Sequence, residues 1–222
     1  MNNTDIFPHI DHTLLKATAT AEQITQLCEE ALLYRTASVC IPASYVKLAR
    51  EKFPKLNICT VIGFPLGYSS TAVKCFEARD AIQNGADEID MVVNIGWVKD
   101  GRFLEVEQEI AEVKKACGDK ILKVIIETCY LDEQEKIELC KCVTNAGADY
   151  IKTSTGFGTA GAAIEDIRLF RQHIGENVRI KAAGGVKTKA DLEMFLQEGC
   201  ERIGTSSAVK LLTGEDNADG GY

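Results

Sequence analysis

Short apolar runs and amphipathic helical stretches alternate along the whole chain, and this alternation limits the possible folds more than any other feature. Eight strand-then-helix units fit into the 222 residues, at about 28 residues per unit, close to the minimum for a right-handed β-α-β repeat. The predicted strands are 9–12, 37–41, 57–62, 88–93, 121–126, a sixth that ends at Lys152, 179–182 and 202–205. The pattern predicts a single (β/α)8 TIM barrel of the α/β class. An open doubly wound sheet would usually have fewer strands and more residues per strand.

The barrel is expected to occupy residues 1–212 as one domain, because no linker divides the chain. Capping-box patterns at 20–23, 132–135 and 188–191 mark the starts of three helices between the strands. Residues 213–222 are polar and rich in glycine, and they are expected to form a C-terminal tail.

Charge and cysteine usage restrict the function classes. The chain has 33 acidic and 25 basic side chains, a net charge of -8, which argues against a nucleic-acid partner but allows a local basic pocket for a small anion. It has no leader pattern and no apolar run long enough to span a bilayer, so no membrane association is expected. The odd number of nine cysteines, most of them in apolar patterns, argues against a disulfide framework. We therefore expect a reduced, cytoplasmic setting.

Two lysines end consecutive predicted strands, at the barrel edge where catalytic groups normally lie. If Lys152 and Lys181 both point into the barrel, each cation makes protonation of the other more costly, and one amine should be neutral near pH 7. A neutral amine is a nucleophile for carbonyl carbons, so the pattern indicates a Schiff-base enzyme with Lys152 as the nucleophile. Asp90 lies near the end of the fourth strand, where a carboxylate can move protons. The alternative for either lysine is a surface side chain that only extends past the strand end.

Glycine-rich loops follow the last strands, and loops at these positions commonly bind phosphate in barrels. The sequence reads Gly184-Gly185-Val186-Lys187 after the seventh strand and Gly204-Thr205-Ser206-Ser207 after the eighth. With Thr155 and Gly156 after the sixth strand, these loops are the candidate site for a phosphate group. Ordinary tight turns are the alternative.

The segment 156–161 also matches the GxGxxG pattern of dinucleotide sites. A ribose-binding carboxylate is expected at the end of the next strand, however, and Lys181 stands there instead, so the pattern is a poor indication of such a site. The three histidines form no ligand pair on one helix face, and the cysteines lack finger spacing. We expect no metal and no cofactor, and we interpret Cys40 as a buried, inert thiol.

Four blocks of sequence, in order along the chain, resemble the deoxyribose-phosphate aldolase family, which are metal-free class I aldolases with the barrel fold. The blocks are Glu88-Ile89-Asp90-Met91-Val92-Val93-Asn94, Leu122-Lys123-Val124-Ile125-Ile126-Glu127-Thr128, Ile151-Lys152-Thr153-Ser154-Thr155-Gly156 and Ile180-Lys181-Ala182-Ala183-Gly184-Gly185-Val186. The resemblance implies reversible cleavage of 2-deoxy-D-ribose 5-phosphate to acetaldehyde and D-glyceraldehyde 3-phosphate. It also implies that Lys152 forms the Schiff base, that Asp90 donates and accepts protons, and that Lys181 eases loss of the amine proton and joins the relay.

Three further residues are possible accessory groups, namely Asp11, Lys123 and Tyr222. For Lys123 the preferred interpretation is a pair with an acidic neighbour. Tyr222 resembles a C-terminal tyrosine that reaches the active site in some members of the family. Two positions depart from the family pattern, since Phe157 stands where some members have lysine and Lys187 where others have arginine. The phosphate grip is therefore expected to be weaker or arranged differently.

Two other functions stay open at the level of sequence. One is a Schiff-base barrel aldolase for another sugar, and the other is a phosphosugar-binding protein without catalysis. A homo-oligomer, in its simplest form a dimer, is expected.

Overall fold

Eight parallel strands pair in sequence order, and the eighth pairs with the first to close a barrel. The computed structural model describes residues 1–214. The strands are β1 Ile10–Thr13, β2 Ser38–Ile41, β3 Ile58–Ile62, β4 Glu88–Val92, β5 Ile121–Ile125, β6 Tyr150–Lys152, β7 Arg179–Ala183 and β8 Arg202–Thr205. The predicted single (β/α)8 barrel is confirmed.

Helices surround the barrel and connect successive strands. In the described part of the chain they are α1 Asn3–Ile6, α2 Ala21–Tyr34, α3 Val46–Lys52, α4 Thr71–Gln83, α5 Ile95–Lys99, α6 Phe103–Cys117, α7 Glu133–Asn145, α8 Ile164–His173, α9 Lys189–Gln197 and α10 Ala208–Thr213. The three predicted capping boxes are present at the starts of α2, α7 and α9. None of the described helices is long and apolar enough to cross a membrane.

The structure corrects several boundaries. Every strand lies within one residue of its predicted ends, and β1 is shifted by one residue toward the C-terminus. The short helices α1 and α5 have four and five residues, too few to produce a helical period in the sequence. A proline directly after the second strand predicts a helix start at Pro42, but Pro42 precedes the 3-10 turn Ala43–Tyr45 that leads into α3.

The last helix also differs from its predicted bounds. The last helix is predicted to begin near Ser206 and to end at Leu212, but α10 runs over Ala208–Thr213. Thr213, the first residue of the predicted tail, therefore belongs to this helix. Residues 215–222, and with them Tyr222, lie outside the described residues.

The two faces of the barrel sheet carry different kinds of buried side chain. Outward-facing apolar strand residues and the inner faces of the helices form one large apolar cluster, which includes Ile89, Ile151 and Ile167. Inside the barrel, by contrast, several charged side chains are almost fully buried. Alternate residues of a strand point to opposite faces of the sheet. Along β4 and β6, this period of two places the charged residues on the face that points into the barrel. The sheet therefore separates an apolar outer layer from a charged centre.

Candidate active site

The strand register brings the predicted catalytic residues to one level of the barrel. Lys152 on β6 pairs in register with Lys181 on β7, and Asp90 on β4 pairs with Lys123 on β5. These four side chains are buried, with at most 2% exposed. Burial of so much charge is costly unless the groups are paired. Each of these buried charges therefore needs a partner of opposite charge.

Asp90 is the centre of the site. Its Oδ2 atom lies 2.8 Å from Nζ of Lys152 and 2.7 Å from Nζ of Lys181. Its Oδ1 atom accepts a hydrogen bond of 2.8 Å from Nζ of Lys123 and one of 3.1 Å from the Cys59 thiol. One carboxylate thus contacts three lysine side chains, so a proton has a continuous path between Lys152 and Lys181 through Asp90.

The charges around Asp90 fix its ionisation and that of its partners. Burial alone would raise the pKa of Asp90, but the three lysines outweigh it and hold the pKa well below the ordinary value. Burial would lower the pKa of Lys181, but Asp11 and Asp90 reverse this and hold it well above the usual range. The pKa of Lys123 is also raised well above its usual range, since Asp90 outweighs the effect of burial. Asp90 is therefore a carboxylate at neutral pH, while Lys123 and Lys181 are ammonium groups.

Asp11 joins this group from β1. Its Oδ2 lies 2.5 Å from Nζ of Lys181, and its Oδ1 accepts hydrogen bonds from Arg202, at 2.5 Å, and from the Ser38 hydroxyl, at 2.8 Å. Burial would raise the pKa of Asp11, but Lys181 and the other cations nearby lower it far below the usual range. The predicted accessory residue Asp11 is thus a buried carboxylate that contacts Lys181 directly.

Glu88 and Arg202 lie at the opposite, N-terminal ends of their strands, and sequence reasoning missed them. Arg202 donates to both carboxylate oxygens of Glu88, at 2.8 and 3.2 Å. Glu88 also lies 2.6 Å from Nζ of Lys123 and accepts a hydrogen bond of 2.7 Å from Asn57. The pairing of Lys123 with acidic neighbours, preferred from the sequence, is present with both Glu88 and Asp90. A usable signal existed, because Glu88 stands two residues before Asp90 and so faces the same side of β4.

A further carboxylate, Glu127, shapes the loop after β6. Glu127 has a left-handed backbone conformation, with φ 54°, and accepts hydrogen bonds from the backbone N–H of Thr155, at 3.1 Å, and from its hydroxyl. Burial raises the pKa of Glu127, against hydrogen bonds from Thr155 and the charge of Lys152. Both donors of Thr155 are thereby occupied, and its hydroxyl oxygen accepts from the N–H of Phe157. Thr155 therefore orders the loop rather than presenting a donor to a phosphate.

The predicted phosphate loops are neighbours. Ala183 pairs in register with Gly204, so the loop that begins with Gly184 and Gly185 starts beside the end of β8. Both glycines have φ 76°, a conformation that other residues rarely adopt. Val186 is buried in the apolar cluster, so its backbone alone can face a ligand. Ser206 and Ser207 follow β8, where the N–H of Ser207 donates to the Thr205 hydroxyl at 3.2 Å.

The GxGxxG glycines have a structural reason in loop packing. A side chain at Gly158 would lie 2.8 Å from the Cys129 sulfur, and one at Gly161 would lie 2.4 Å from the carbonyl carbon and oxygen of Gly184. The helix after this loop begins only at Ile164. The glycines therefore allow two loops to touch, and they need no dinucleotide to explain them.

Two aromatic side chains lie in the loops after β3 and β6. Phe157 is 44% exposed and meets Phe64 edge to face, with ring centroids 5.4 Å apart. Phe64 also packs against a small apolar cluster that contains Leu15, Cys40 and Cys59. The loops after β3 and β6 thus carry an apolar contact at the C-terminal end of the barrel.

Two thiols and one carboxylate are the described donors that come closest to a metal-binding arrangement. Donor atoms of Cys40, Cys59 and Asp90 lie within 4.8 Å of one another. The ammonium group of Lys123 lies 3.3 Å from the Cys59 sulfur and 2.8 Å from Asp90, so its charge opposes a cation at this position. Burial raises the pKa of Cys59, which favours the thiol form.

Comparisons with known proteins match nearly the whole chain to one family. The model of the family described as DeoC/LacD family aldolase matches residues 6–213. The chain is 60% identical to a deoxyribose-phosphate aldolase of Clostridium botulinum over 97% of this chain and 98% of that protein. It is 55% identical, over the full length of both chains, to one of Streptococcus agalactiae. The structure of a tetrameric deoxyribose phosphate aldolase from Aeropyrum pernix superposes with a TM-score of 0.86, at 31% identity, covering 95% of this chain and 91% of that one.

Proposed function

Because the chain belongs to the DeoC/LacD family of aldolases, we propose that it reversibly cleaves 2-deoxy-D-ribose 5-phosphate to acetaldehyde and D-glyceraldehyde 3-phosphate through a Schiff base on Lys152. One observation carries the assignment of Lys152. Its buried amine lies 2.8 Å from Asp90, which also binds Lys181 at 2.7 Å. An amine beside a second cation and a proton carrier is the arrangement that carbonyl addition requires.

The cleavage begins at the open-chain sugar. Neutral Lys152 adds to the C1 aldehyde, and loss of water gives a protonated imine. The C3 hydroxyl loses its proton, the C2–C3 bond breaks, and its electron pair moves toward the imine nitrogen. Glyceraldehyde 3-phosphate leaves, and an enamine remains on Lys152.

Proton transfer completes the cycle. The enamine takes a proton at C2 to become the imine of acetaldehyde, and water then releases acetaldehyde and the free amine. Asp90 is a weak base because its pKa is low, so it holds a proton only briefly between water, Lys152 and Lys181. Lys181 is an ammonium group and can return that proton through the contact of 2.7 Å.

The 5-phosphate is assigned to the glycine loops. The proposed donors are the backbone N–H groups of Gly156, Gly184 and Gly185, which follow β6 and β7, together with Ser206 and Ser207 after β8. Gly204 lies within β8, and it and the buried Val186 are proposed to contribute only through their backbone. Because Phe157 replaces a basic residue, the side chains of these loops supply little positive charge apart from Lys187. We therefore propose that phosphate binding depends mainly on backbone donors.

The test is borohydride trapping with 2-deoxyribose 5-phosphate, followed by peptide mass mapping. We expect a reduced adduct on Lys152 in the parent protein, no adduct in Lys152→Ala and loss of turnover in that variant. Lys152→Met serves as a control that keeps the length of the side chain. Turnover in either variant would refute the assignment, whereas an adduct on Lys181 would exchange the two roles. Tight phosphosugar binding without any adduct would favour a non-catalytic binding protein.

The same trapping assay separates this aldolase from one for another sugar. With deoxyribose 5-phosphate, unphosphorylated deoxyribose and a keto donor compared at equal concentration, we expect the phosphorylated aldehyde to react fastest. Faster cleavage of a keto sugar would support the alternative substrate.

We also propose a homo-oligomer, with a dimer as the smallest form. Large apolar side chains are exposed on and before α4, namely Leu66, Tyr68, Val73 and Phe76, which are 46–72% exposed. An apolar surface of this kind favours self-association. Sedimentation at several concentrations tests the proposal, and a monomer at every concentration would refute it.

We propose a cytoplasmic location as well. All nine cysteines, at 28, 40, 59, 75, 117, 129, 140, 142 and 200, are free thiols, which suits a reducing compartment. Cell fractionation tests this, and recovery in a secreted fraction would refute it.

A further inference from the structure

Six charged side chains inside the barrel form a closed ring in which acids and bases alternate. The order around the ring is Asp90, Lys181, Asp11, Arg202, Glu88 and Lys123. Each neighbouring pair is joined by a contact of 2.8 Å or less. Five of the six side chains are at most 1% exposed, and that of Arg202 is 12% exposed. The ring is therefore a single electrostatic unit that reaches from the reacting end of the barrel to its opposite end.

The ring is neutral as a whole. It contains three carboxylates and three cations, so its charges cancel without Lys152. Lys152 contacts the ring at Asp90, and among the described residues this is the carboxylate that forms an ion pair with it. A proton on Lys152 is thus the one positive charge that the ring does not balance, and loss of that proton leaves the buried site neutral.

We propose that Glu88 and Arg202, far from the reacting amine, are positioning residues that set this charge balance and thereby control how readily Lys152 loses its proton. The inference rests on the proposed Schiff-base function. Arg202 donates hydrogen bonds to both carboxylate oxygens of Glu88 and to Asp11. It therefore links these two carboxylates of the ring. Neither Glu88 nor Arg202 needs to touch the substrate for this effect.

The other charged groups that face Lys152 do not replace the ring. Asp90 on β4 and Lys181 on β7 are members of it, and Lys123 on β5 acts through Asp90. Glu127, after β5, is buried, and the resulting rise in its pKa favours the uncharged form. The charge of Lys152 also acts on Cys40 of β2, whose pKa is lowered mainly by a hydrogen bond that it accepts from the Cys59 thiol. The ring is therefore the main source of fixed charge next to the amine.

The proposal predicts shifts of opposite sign for two neighbouring residues. Arg202→Met leaves the ring with one excess negative charge, which stabilises the protonated amine of Lys152. Glu88→Gln leaves one excess positive charge, which destabilises it. A single charge in a protein interior of moderate dielectric changes such an equilibrium by about tenfold, or about one pH unit.

The experiment follows the initial rate of borohydride-trapped adduct formation with acetaldehyde between pH 5 and pH 10, with the adduct on Lys152 quantified by peptide mass. We expect the midpoint to rise by about one pH unit in Arg202→Met and to fall by about one in Glu88→Gln. The double variant restores neutrality, so its midpoint should return toward that of the parent. Asp166→Asn is the matched control, because Asp166 forms its 2.6 Å pair with Lys136 between α7 and α8.

General loosening of the barrel would shift both single variants in the same direction, and that result would overturn the proposal, as would unchanged midpoints. If Arg202→Met does not fold, Arg202→Lys, which keeps the charge, should keep the parent midpoint while Glu88→Gln lowers it. A midpoint that Glu88→Gln leaves unchanged overturns the proposal in that case too. A parent protein that forms no adduct on Lys152 refutes the proposed function itself, whereas a normal parent adduct with no opposite shifts refutes only the role of the ring.

Discussion

Replacement of Lys181 by methionine should move the pH range in which Lys152 reacts. Both nitrogens bind Oδ2 of Asp90, at 2.7 and 2.8 Å, so they are at most 5.5 Å apart. At an effective dielectric constant near 20, two positive charges at that distance repel by about 3 kcal/mol. Loss of this repulsion should raise the midpoint of adduct formation by about two pH units. At a pH below the midpoint, the rate should therefore fall by about a hundredfold.

The assay is again the initial rate of trapping with acetaldehyde across a pH series, because imine formation requires the neutral amine but not cleavage of a C–C bond. Activity should recover when the pH is raised, and Lys181→Arg, which keeps the positive charge, should stay near the parent midpoint. A loss of equal size at every pH would refute the electrostatic argument. Lys181 would then act through geometry or proton transfer alone.

Four other results are expected. Asp90→Asn should still form the acetaldehyde adduct but should cleave substrate about a hundredfold more slowly or worse in a single-turnover assay, because proton transfer is lost. Lys74→Met should lower the free energy of unfolding in urea by about 3–5 kcal/mol, since it leaves the fully buried Glu109 without its 2.8 Å partner. Gly161→Ala should raise KM for the phosphorylated substrate by about tenfold, and less for deoxyribose, because its Cβ would meet the loop after β7 at 2.4 Å. Asp90 and Asp11 have lowered folded-state pKa values, so the stability they contribute is present above about pH 4 and is lost as the pH falls further; urea midpoints should drop steeply there.

The barrel could be predicted because its signal is local and repeated. Each buried strand is a short apolar run, and each helix has its own period and often its own capping box, as at the start of α2. The errors occur where an element is too short to show a period in the sequence. The 3-10 turn after Pro42 and the short helix α5 are such elements.

The site could be predicted in part for a related reason. Strand ends identify Asp90, Lys152 and Lys181, because parallel strands bring their ends to the same edge of the barrel. Glu88 and Arg202 start their strands, where charged residues are usually assigned to solvent. The spacing of two residues from Asp90 places Glu88 on the inward face of β4, whereas the inward direction of Arg202 follows only from the register, in which it pairs with Lys181.

Thr155, whose role in phosphate binding stays a prediction, shows the opposite limit. A hydroxyl residue beside glycine suggests an anion site, but the left-handed conformation of Glu127 places its carboxylate against both donors of Thr155. That contact joins two loops that are 28 residues apart. No local pattern in the sequence could indicate it.

The charged interior also explains why a reactive amine can exist in a stable barrel. Isolated buried charges strongly destabilise a fold, but each ring carboxylate here contacts at least two cations, so the fixed charges stabilise one another. Lys152 is the exception, since it shares the carboxylate of Asp90 with Lys123 and Lys181. Its proton is therefore the charge whose removal costs the least, and its nitrogen is the one that can attack a carbonyl group. Stability and reactivity thus come from the same arrangement, in which the fold balances six charges and leaves the seventh unbalanced.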